Sequence, residues 1–345
     1  FLNLLGASSG GRLYVEQAGV VYVLGIPEAA TMHKLLIEST DQPGDDFGTG
    51  KYQYPKNPVF KPGVFDLLGF AAYDLGDRIR LVFRVRELGG NPWGGPAGFS
   101  LQFFHVYINR GGGTRNDTLG LRVALCKEAA WDVALLIGPG WAGGNRIVYQ
   151  EGATVDDGMA IKAGPNNTII ADVPKRYVGD YNDKWKITVF LTSWDGYGPD
   201  NIRNFGVIAD EWTVGGADPA AVLAGVAPRV FDVLAPTAEA QTKALTSYQV
   251  TRLPNGTYAG KPATVCTYLS SRGEPSTATI TSTTTTTQTL TITTTQYVTQ
   301  TETTTVTYTT VVKEADWTAP LLVVAVIVVI ALFLAMRGYS RRGAT

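Results

Sequence analysis

The chemistry of this sequence is concentrated first in an acidic turn, "STDQPGDDFGTGKYQYPKNP", at residues 39–58. Asp41, Asp45 and Asp46 lie close together there, punctuated by glycine and proline. Carboxylates held this close repel one another unless water or a cation relieves the repulsion. Ca²⁺ takes about six to eight oxygen ligands, and a Gly/Pro turn can direct backbone carbonyls inward beside carboxylates. From the residues alone, a structural Ca²⁺ site and a solvated turn whose aspartates cap backbone groups are equal alternatives.

A second group of residues that can bind a ligand lies on glycine-rich turns. Trp93 occurs in "NPWGG", and Trp194 and Tyr197 occur in "SWDGYG". Aromatic rings offer flat apolar faces on which sugars can stack, while Asp195 and Arg203 can hydrogen-bond hydroxyl groups. These five residues are the candidate carbohydrate ligands. The alternative is that the rings pack in the core or at a corner, which is favoured for Trp93, and that Asp195 caps its turn or completes a metal shell.

The sequence does not contain a recognisable catalytic motif. Its two histidines are His33 and His105, and neither a nucleophile elbow nor a His-Glu-x-x-His motif occurs. Glycoside hydrolysis needs two carboxylates about 5–10 Å apart across a cleft. Asp156 and Asp157 are adjacent, so on a strand their side chains point to opposite faces. We therefore expect neither an enzyme nor a catalytic metal in this chain.

Alternation of apolar and polar residues predicts the strands that hold these turns. In "DRIRLVFRVREL", Ile79, Leu81, Phe83 and Val85 face one way and arginines face the other, which is typical of a half-buried antiparallel strand. "SLQFFHVYIN" is apolar on both faces and suits a central strand. Several further strands follow, separated by glycine- and asparagine-containing turns. The predicted fold class is all-β, an antiparallel β-sandwich of immunoglobulin-like or jelly-roll type.

Beyond the sandwich, expected over residues 34–217, the pattern changes to short helices. Residues 218–250 begin with Asp218 as an N-cap and Pro219 at the first helical position. We expect this helical extension to pack against the sandwich and a linker, residues 251–273, to follow it.

The end of the sequence predicts a stalk and a membrane anchor. Residues 274–316 are rich in threonine and poor in large apolar side chains, which indicates an extended, O-glycosylated stalk. Residues 317–336 include "LLVVAVIVVIALFLAM", long enough to cross a bilayer as a helix. The tail at 337–345 carries three arginines, so the positive-inside rule places it in the cytoplasm and the domain outside.

An extracellular location agrees with three glycosylation sequons, at Asn116, Asn166 and Asn255. Cys126 and Cys266 can form one disulfide in an oxidising compartment, although two free thiols are an equal alternative. The net charge of −1 does not suggest a nucleic-acid partner.

Four segments of the sequence resemble one family. They are "DQPGDDFGTGKYQYPKNPVFKPGVFDLLGF", "LGGNPWGGPAGFSLQ", "SWDGYGPDNIR" and "EWTVGGADPAAVLAGVAPRVFDVLAP". Together they resemble the glucodextranase-like C-terminal domain, a sandwich similar to carbohydrate-binding modules and DOMON domains. In that family the domain ends glucodextranase, archaeal amylopullulanases and archaeal surface proteins with a threonine stalk. One departure is visible, because Gln42-Pro43 and Gly48-Thr49-Gly50 replace the family's Asp-Pro and Gly-Pro-Gly.

The resemblance implies a non-catalytic carbohydrate-binding module, and its likeness to calcium-bearing sandwiches favours Ca²⁺ at the acidic turn. We therefore expect an anchored cell-surface protein that binds an α-glucan or an envelope glycoconjugate, with the lipid bilayer as its other partner. One alternative is an S-layer or envelope domain that contacts protein. Another is the C-terminal part of a longer amylopullulanase-type glycoside hydrolase, in which residues 1–33 are the remnant of an upstream segment rather than an N-terminal strand region.

Overall fold

The computed structural model describes residues 3–7, 12–17, 20–25, 33–270 and 275–277. The strands are β1 Asn3–Ala7, β2 Arg12–Gln17, β3 Val20–Gly25, β4 Lys34–Thr40, β5 Leu67–Asp74, β6 Arg78–Val85, β7 Gln102–Asn109, β8 Val123–Leu125, β9 Val133–Ile137, β10 Arg146–Tyr149, β11 Thr154–Asp156, β12 Ala160–Gly164, β13 Thr168–Pro174, β14 Lys186–Ser193, β15 Asp232–Val233, β16 Gln249–Arg252, β17 Tyr258–Lys261, β18 Ala263–Val265, β19 Thr267–Ser270 and β20 Pro275–Thr277. The helices are α1 Lys175–Val178, α2 Pro219–Leu223 and α3 Ala238–Leu245, with 3₁₀ turns at Lys127–Ala129 and Pro199–Asn201.

Two antiparallel sheets form a β-sandwich. One sheet has the order β12-β13-β6-β5-β4, and the other runs β11-β10-β9-β7-β14-β19-β20, with β15 pairing to β14. Phe83 of β6 stacks on Phe104 of β7 with ring centroids 4.3 Å apart, so the two sheets meet through their inner faces. Burial of such large apolar rings between two sheets is the main source of stability in a sandwich.

The alternation in the sequence is confirmed on β6 and β7. Ile79, Leu81, Phe83 and Val85 of β6 are buried, and the arginines between them are partly or fully exposed. All eight residues of β7 are buried, because it is a central strand between β9 and β14 and its outer face is covered by loops. The predicted all-β sandwich is therefore confirmed as a mostly antiparallel β fold.

The residues after the sandwich begin with the predicted helices. The Asp218 side chain accepts a hydrogen bond from the Ala221 amide, and Pro219 opens α2. Thr237 caps α3 in the same way through the Ala240 amide. Both caps satisfy amides that a short helix otherwise leaves without partners.

The structure differs from the predicted linker at residues 251–273, because strands occupy most of that range. β16 and β17 form a hairpin, β18 pairs in parallel with β8, and β19 pairs with β14 in the larger sheet. Cys126 and Cys266 are joined by a disulfide beside the β8–β18 pair. Short strands of mixed polarity give little periodic signal in sequence, and β18 and β19 are identified only by their long-range partners.

β1, β2 and β3 form an antiparallel sheet of their own near the start of the chain. Within the part of the chain that the structure describes, no helix has the length and apolar character needed to cross a membrane. The predicted span at 317–336 and tail at 337–345 lie outside the described residues, as does the predicted stalk at 274–316 apart from β20.

Candidate functional site

The acidic turn lies between β4 and β5 and is fastened to the segment that carries β15. The Gly48 amide donates to the Phe231 carbonyl over 2.8 Å. Gly48 has φ +54°, and a Cβ there would lie 2.4 Å from both the Tyr52 ring and the Val230 carbonyl. Only glycine allows this close approach, so the sequence of the turn determines its contact with residues 230–231.

Four aspartates, here called the carboxylate cluster, meet where these segments join. Asp41 and Asp45 come from the turn, Asp66 immediately precedes β5, and Asp232 opens β15. Carboxylate oxygens of Asp45, Asp66 and Asp232 lie within 4.8 Å of one another. Asp66 and Asp232 are fully buried, and Asp41 and Asp45 are nearly so. The structure thus brings two of the predicted ligands to two aspartates that the sequence analysis did not select.

The carboxylate cluster is short of hydrogen-bond donors. Asp66 and Asp232 each accept one backbone hydrogen bond, from Gly44 and Leu67, through Oδ2. Their Oδ1 atoms and both side-chain oxygens of Asp45 accept none from the described residues. Buried carboxylate oxygens without partners are costly, because the protein replaces none of the hydration that they lose.

The electrostatics of the carboxylate cluster follow from this arrangement. Burial, with the charge of Asp45 second, raises the pKa of Asp41 to about 8. Burial and the charge of Asp66 raise the pKa of Asp45 to about 7, and burial and Asp46 raise that of Asp66 to about 6. Burial also raises the pKa of Asp232 well above its usual range, with the charge of Asp41 next in importance. Each raised pKa reflects a carboxylate that is buried and lies near other negative charges.

Asp46, the third predicted ligand, has a different partner. Its Oδ2 accepts a short hydrogen bond from the Tyr54 hydroxyl, which in turn accepts one from the Phe65 amide over 3.0 Å. Asp46 is buried beside the carboxylate cluster, yet it is not among the three aspartates whose oxygens converge. Whether it binds a cation stays a prediction.

Asp66 and Asp232 occur in two copies of one tripeptide. Val64-Phe65-Asp66 and Val230-Phe231-Asp232 each place a single acid among large apolar residues. Phe65 and Phe231 stack face to face with centroids 4.3 Å apart and an interplanar angle of 9°. A lone aspartate inside an apolar strand is a signal for a buried carboxylate that needs a partner. That signal was available in the sequence.

The second region is an open cleft of about 940 Å³, here called the aromatic cleft. It is lined by Trp93, Trp141, Ala142, Trp194, Asp195, Gly196, Tyr197, Asn201, Arg203 and Trp212. All five predicted carbohydrate ligands therefore line one cleft. Trp93 is 38 % exposed and Trp212 is 43 % exposed, with their ring centroids 6.3 Å apart. Sequence analysis did not select Trp212, although "EWTVGG" places it in a turn like the others.

Trp194 forms the floor of the aromatic cleft. It is only 3 % exposed, with its edge against Phe103 and its ring 6.1 Å from the ring of Trp141. A Cβ on Gly144 would lie 2.6 Å from the Trp194 ring, so the turn closes directly over it. The exposed tryptophans of the cleft are therefore Trp93 and Trp212, whereas Trp194 fixes its depth.

The polar residues of the aromatic cleft are largely held by protein. Arg203 donates to the Ser193 hydroxyl and to the carbonyls of Trp194 and Trp212. Burial lowers the pKa of Arg203 from its ordinary value, but a guanidinium keeps its proton in a protein. Asp195 caps its turn by accepting from the Tyr197 amide over 3.0 Å. Arg203 thus braces the cleft, and Tyr197 lies fully exposed at its rim.

The remaining predicted positions are also located. Asn116, Asn166 and Asn255 are all exposed, so each sequon is accessible to a glycan. His105 is fully buried between Phe103 and Tyr107 on β7 and lies in neither region.

The β-sandwich thus carries an open aromatic cleft and a buried carboxylate cluster. The model of one protein family, described as the SLH-like C-terminal binding module of glucodextranase, matches residues 36–266. That match covers well over half of the chain, and the chain therefore belongs to this family. A search of curated proteins gave no significant match.

Proposed function

We propose that this chain is a non-catalytic cell-surface module that binds carbohydrate in the aromatic cleft. The observation that carries the proposal is the pair of exposed rings, Trp93 and Trp212, at the mouth of an open cleft. Two tilted aromatic faces offer a platform for the apolar faces of consecutive sugar rings, and residues of the rim can reach hydroxyl groups. Membership in a family of binding modules supports this role.

The ligand class that we propose is an α-glucan or a glycoconjugate of the cell envelope. Arg203 holds Trp93 in place, because its guanidinium lies 5.8 Å from the Trp93 ring and 4.7 Å from that of Phe60. Phe60 lies edge-on to both exposed tryptophans. Such a preformed platform loses little side-chain entropy when it binds a chain of sugars.

The experiment is calorimetric titration of the full chain, in mild detergent, with linear α-1,4- and α-1,6-glucan oligosaccharides. We expect Trp212→Ala and Trp93→Ala each to weaken binding about 30-fold, the effect of removing an interface residue that contributes about 2 kcal/mol. Tyr258→Ala, on the β16–β17 hairpin, is the control and should bind as the parent does. Equal binding by parent and both tryptophan variants would place the sugar elsewhere.

Display at the membrane is the second part of the proposal. Residues 317–336 would anchor the chain, the threonine-rich residues 274–316 would space the module from the bilayer, and residues 337–345 would lie in the cytoplasm. The full chain should float with phospholipid vesicles, and a chain ending at residue 316 should stay in solution. Flotation of both chains would assign membrane contact to another part of the molecule.

The alternative function, a structural contact with envelope protein, is favoured by one observation. Val207 and Ile208 are exposed apolar residues in the turn that precedes Trp212, and Ile208 is 77 % exposed. Contiguous exposed apolar surface marks interaction sites, so this pair is the candidate contact with another protein. Concentration-dependent association that is lost in Ile208→Ser, without added glycan, would support this function over sugar binding.

We also propose, as the acidic turn predicts, that a structural Ca²⁺ stabilises the module. The support is that buried carboxylates of Asp45, Asp66 and Asp232 converge, with both oxygens of Asp45 and the Oδ1 atoms of Asp66 and Asp232 lacking donors among the described residues.

A further inference from the structure

We propose that Asp66 and Asp232, supplied by the two Val-Phe-Asp tripeptides, join Asp45 and Asp41 as the ligands of this Ca²⁺. The cation thereby fastens residues 229–246 to the sandwich. The inference rests on the proposed calcium stabilisation, but half of its ligands and its role as a fastener lie outside the acidic turn.

The geometry fits a cation between the tripeptides. Stacking of Phe65 on Phe231 sets the two chain segments side by side, and the Leu67 amide donates to Asp232 Oδ2 over 2.7 Å. Each aspartate then has its Oδ1 free of protein donors. Oxygens of Asp45, Asp66 and Asp232 lie within 4.8 Å of one another, so they are no farther apart than two opposite ligands around an ion with Ca²⁺–oxygen bonds of about 2.4 Å.

The donor set selects the class of cation. It contains carboxylate oxygens only, which suits hard cations, whereas zinc and copper sites use nitrogen or sulfur. Mg²⁺ keeps several waters and needs shorter bonds, so a site whose ligands are fully buried disfavours it. A nearby cation of the protein, Arg86, lies 3.5 Å from Asp66, but its side chain is mostly exposed. Ca²⁺ together with Arg86 would neutralise three of the four carboxylate charges.

The role as a fastener follows from contacts made by α3. The Gln241 side chain donates to the Asp45 carbonyl over 2.5 Å and accepts from the Val233 amide over 2.6 Å. The Ala235 amide donates to Asp41 over 3.3 Å. The acidic turn and the segment around β15 therefore share hydrogen bonds at the same place where their carboxylates repel. A cation converts that repulsion into attraction.

The test is a Ca²⁺ titration of the full chain in mild detergent after treatment with chelator. We expect saturable binding of one Ca²⁺ and a rise in Tm of roughly 5–10 °C at a hundredfold excess over Kd. Mg²⁺ at the same concentration should give a much smaller rise. Amide exchange in residues 229–246 should slow on addition of Ca²⁺ more than exchange in β10, which is separated by β9 and β7 from the strand that pairs with β15.

The decisive variant is Asp232→Asn, which keeps the shape of the side chain and removes one charge. It should lose saturable Ca²⁺ binding, whereas Asp77→Asn, an exposed aspartate paired with Arg78, should bind as the parent does. In chelator, Asp232→Asn should unfold at the same Tm as the parent or higher, because the uncompensated repulsion is smaller. A purely structural role for Asp232 would lower the Tm with and without Ca²⁺.

Three results would overturn the inference, and each removes a different part of it. No saturable Ca²⁺ binding by the parent would remove calcium stabilisation altogether. Normal Ca²⁺ binding by Asp232→Asn would remove this ligand set but leave the calcium proposal standing. Binding that leaves exchange in residues 229–246 unchanged would remove the role as a fastener. None of them bears on sugar binding, which the tryptophan variants test separately.

Discussion

The carboxylate cluster and the aromatic cleft differ in how the protein satisfies their polar groups. In the carboxylate cluster, both oxygens of Asp45 and the Oδ1 atoms of Asp66 and Asp232 have no donors among the described residues. In the aromatic cleft, the buried cation Arg203 has its hydrogen bonds supplied by Ser193 and backbone carbonyls. The first region therefore carries buried negative charge that the proposed Ca²⁺ would balance. The second is complete and offers only shape and exposed rings, which is suited to weaker and more tolerant binding.

The two regions nevertheless share a wall of phenylalanines. Phe231 stacks on Phe65 beside the carboxylate cluster, and Phe65 lies 6.2 Å from Phe60, centroid to centroid. Phe60 in turn contacts Trp93 and Trp212 of the aromatic cleft. Substitutions in this wall therefore test whether the two regions depend on each other, as do substitutions in one region followed by measurements on the other.

The largest effect is expected from Phe231→Ala, which removes the shared wall. Loss of a fully buried phenylalanine should lower the free energy of unfolding by about 3–5 kcal/mol, as measured by chemical denaturation. We expect both Ca²⁺ and glucan binding to weaken. Phe70→Ala is the matched control, since Phe70 is equally buried but packs on Phe83 in the other sheet. A Phe231→Ala protein that binds both ligands normally would show that the regions are independent.

The next effect concerns pH. It comes from His105, a buried residue that lies in neither region. Burial lowers the pKa of His105 to about 3, with the charge of Arg146 next and then that of Arg229; Tyr107 contacts its Nδ1. The unfolded chain binds this proton near pH 6.5, so stability is lost as pH falls below that value. At pH 5 the loss should be about 2 kcal/mol.

His105→Gln is the variant that separates this contribution from that of the carboxylates. The difference in unfolding free energy between parent and His105→Gln should shrink by about 2 kcal/mol when the pH is lowered from 7 to 5 at fixed Ca²⁺. A difference that does not change with pH would mean that His105 is protonated in the folded protein.

A smaller effect distinguishes two sets of Ca²⁺ ligands. One is the three aspartates of the acidic turn, and the other is the carboxylate cluster. Asp46 bonds to Tyr54 rather than converging with the other carboxylates. We therefore expect Asp46→Asn to weaken Ca²⁺ binding by less than about tenfold, or 1.4 kcal/mol, in the titration used for Asp232→Asn. Complete loss of Ca²⁺ binding in Asp46→Asn would instead support the three aspartates of the turn as ligands.

The smallest effect is the coupling between the regions. Removing Ca²⁺ should loosen Phe231 and, through Phe65 and Phe60, the seating of Trp93 and Trp212. We expect glucan affinity in chelator to fall by about fivefold, the low end of measured coupling between sites. Titrating the glucan with and without Ca²⁺ measures it. Identical affinities would show that Ca²⁺ binding and glucan binding are not coupled.

Local patterns predicted much of the fold. The alternation on β6, the apolar β7 and the cap of α2 at Asp218 all depend on residues near one another in sequence, and all three are confirmed. The strands at 263–270, β18 and β19, were missed because they are short and take their partners, β8 and β14, from far along the chain. Periodicity within a segment carries no information about such partners.

The sequence by itself determined which residue types could bind a ligand and that most of them lie on turns. It placed Asp41 and Asp45 together, and it put Trp93, Trp194 and Tyr197 on glycine-rich loops. Only the tertiary structure decided which of them meet. Asp66 and Asp232 are separated by more than a hundred residues, and they converge because the two sheets and the segment after them bury Phe65 against Phe231. Likewise, packing from distant segments leaves Trp194 buried at the base of the cleft and Trp212 partly exposed.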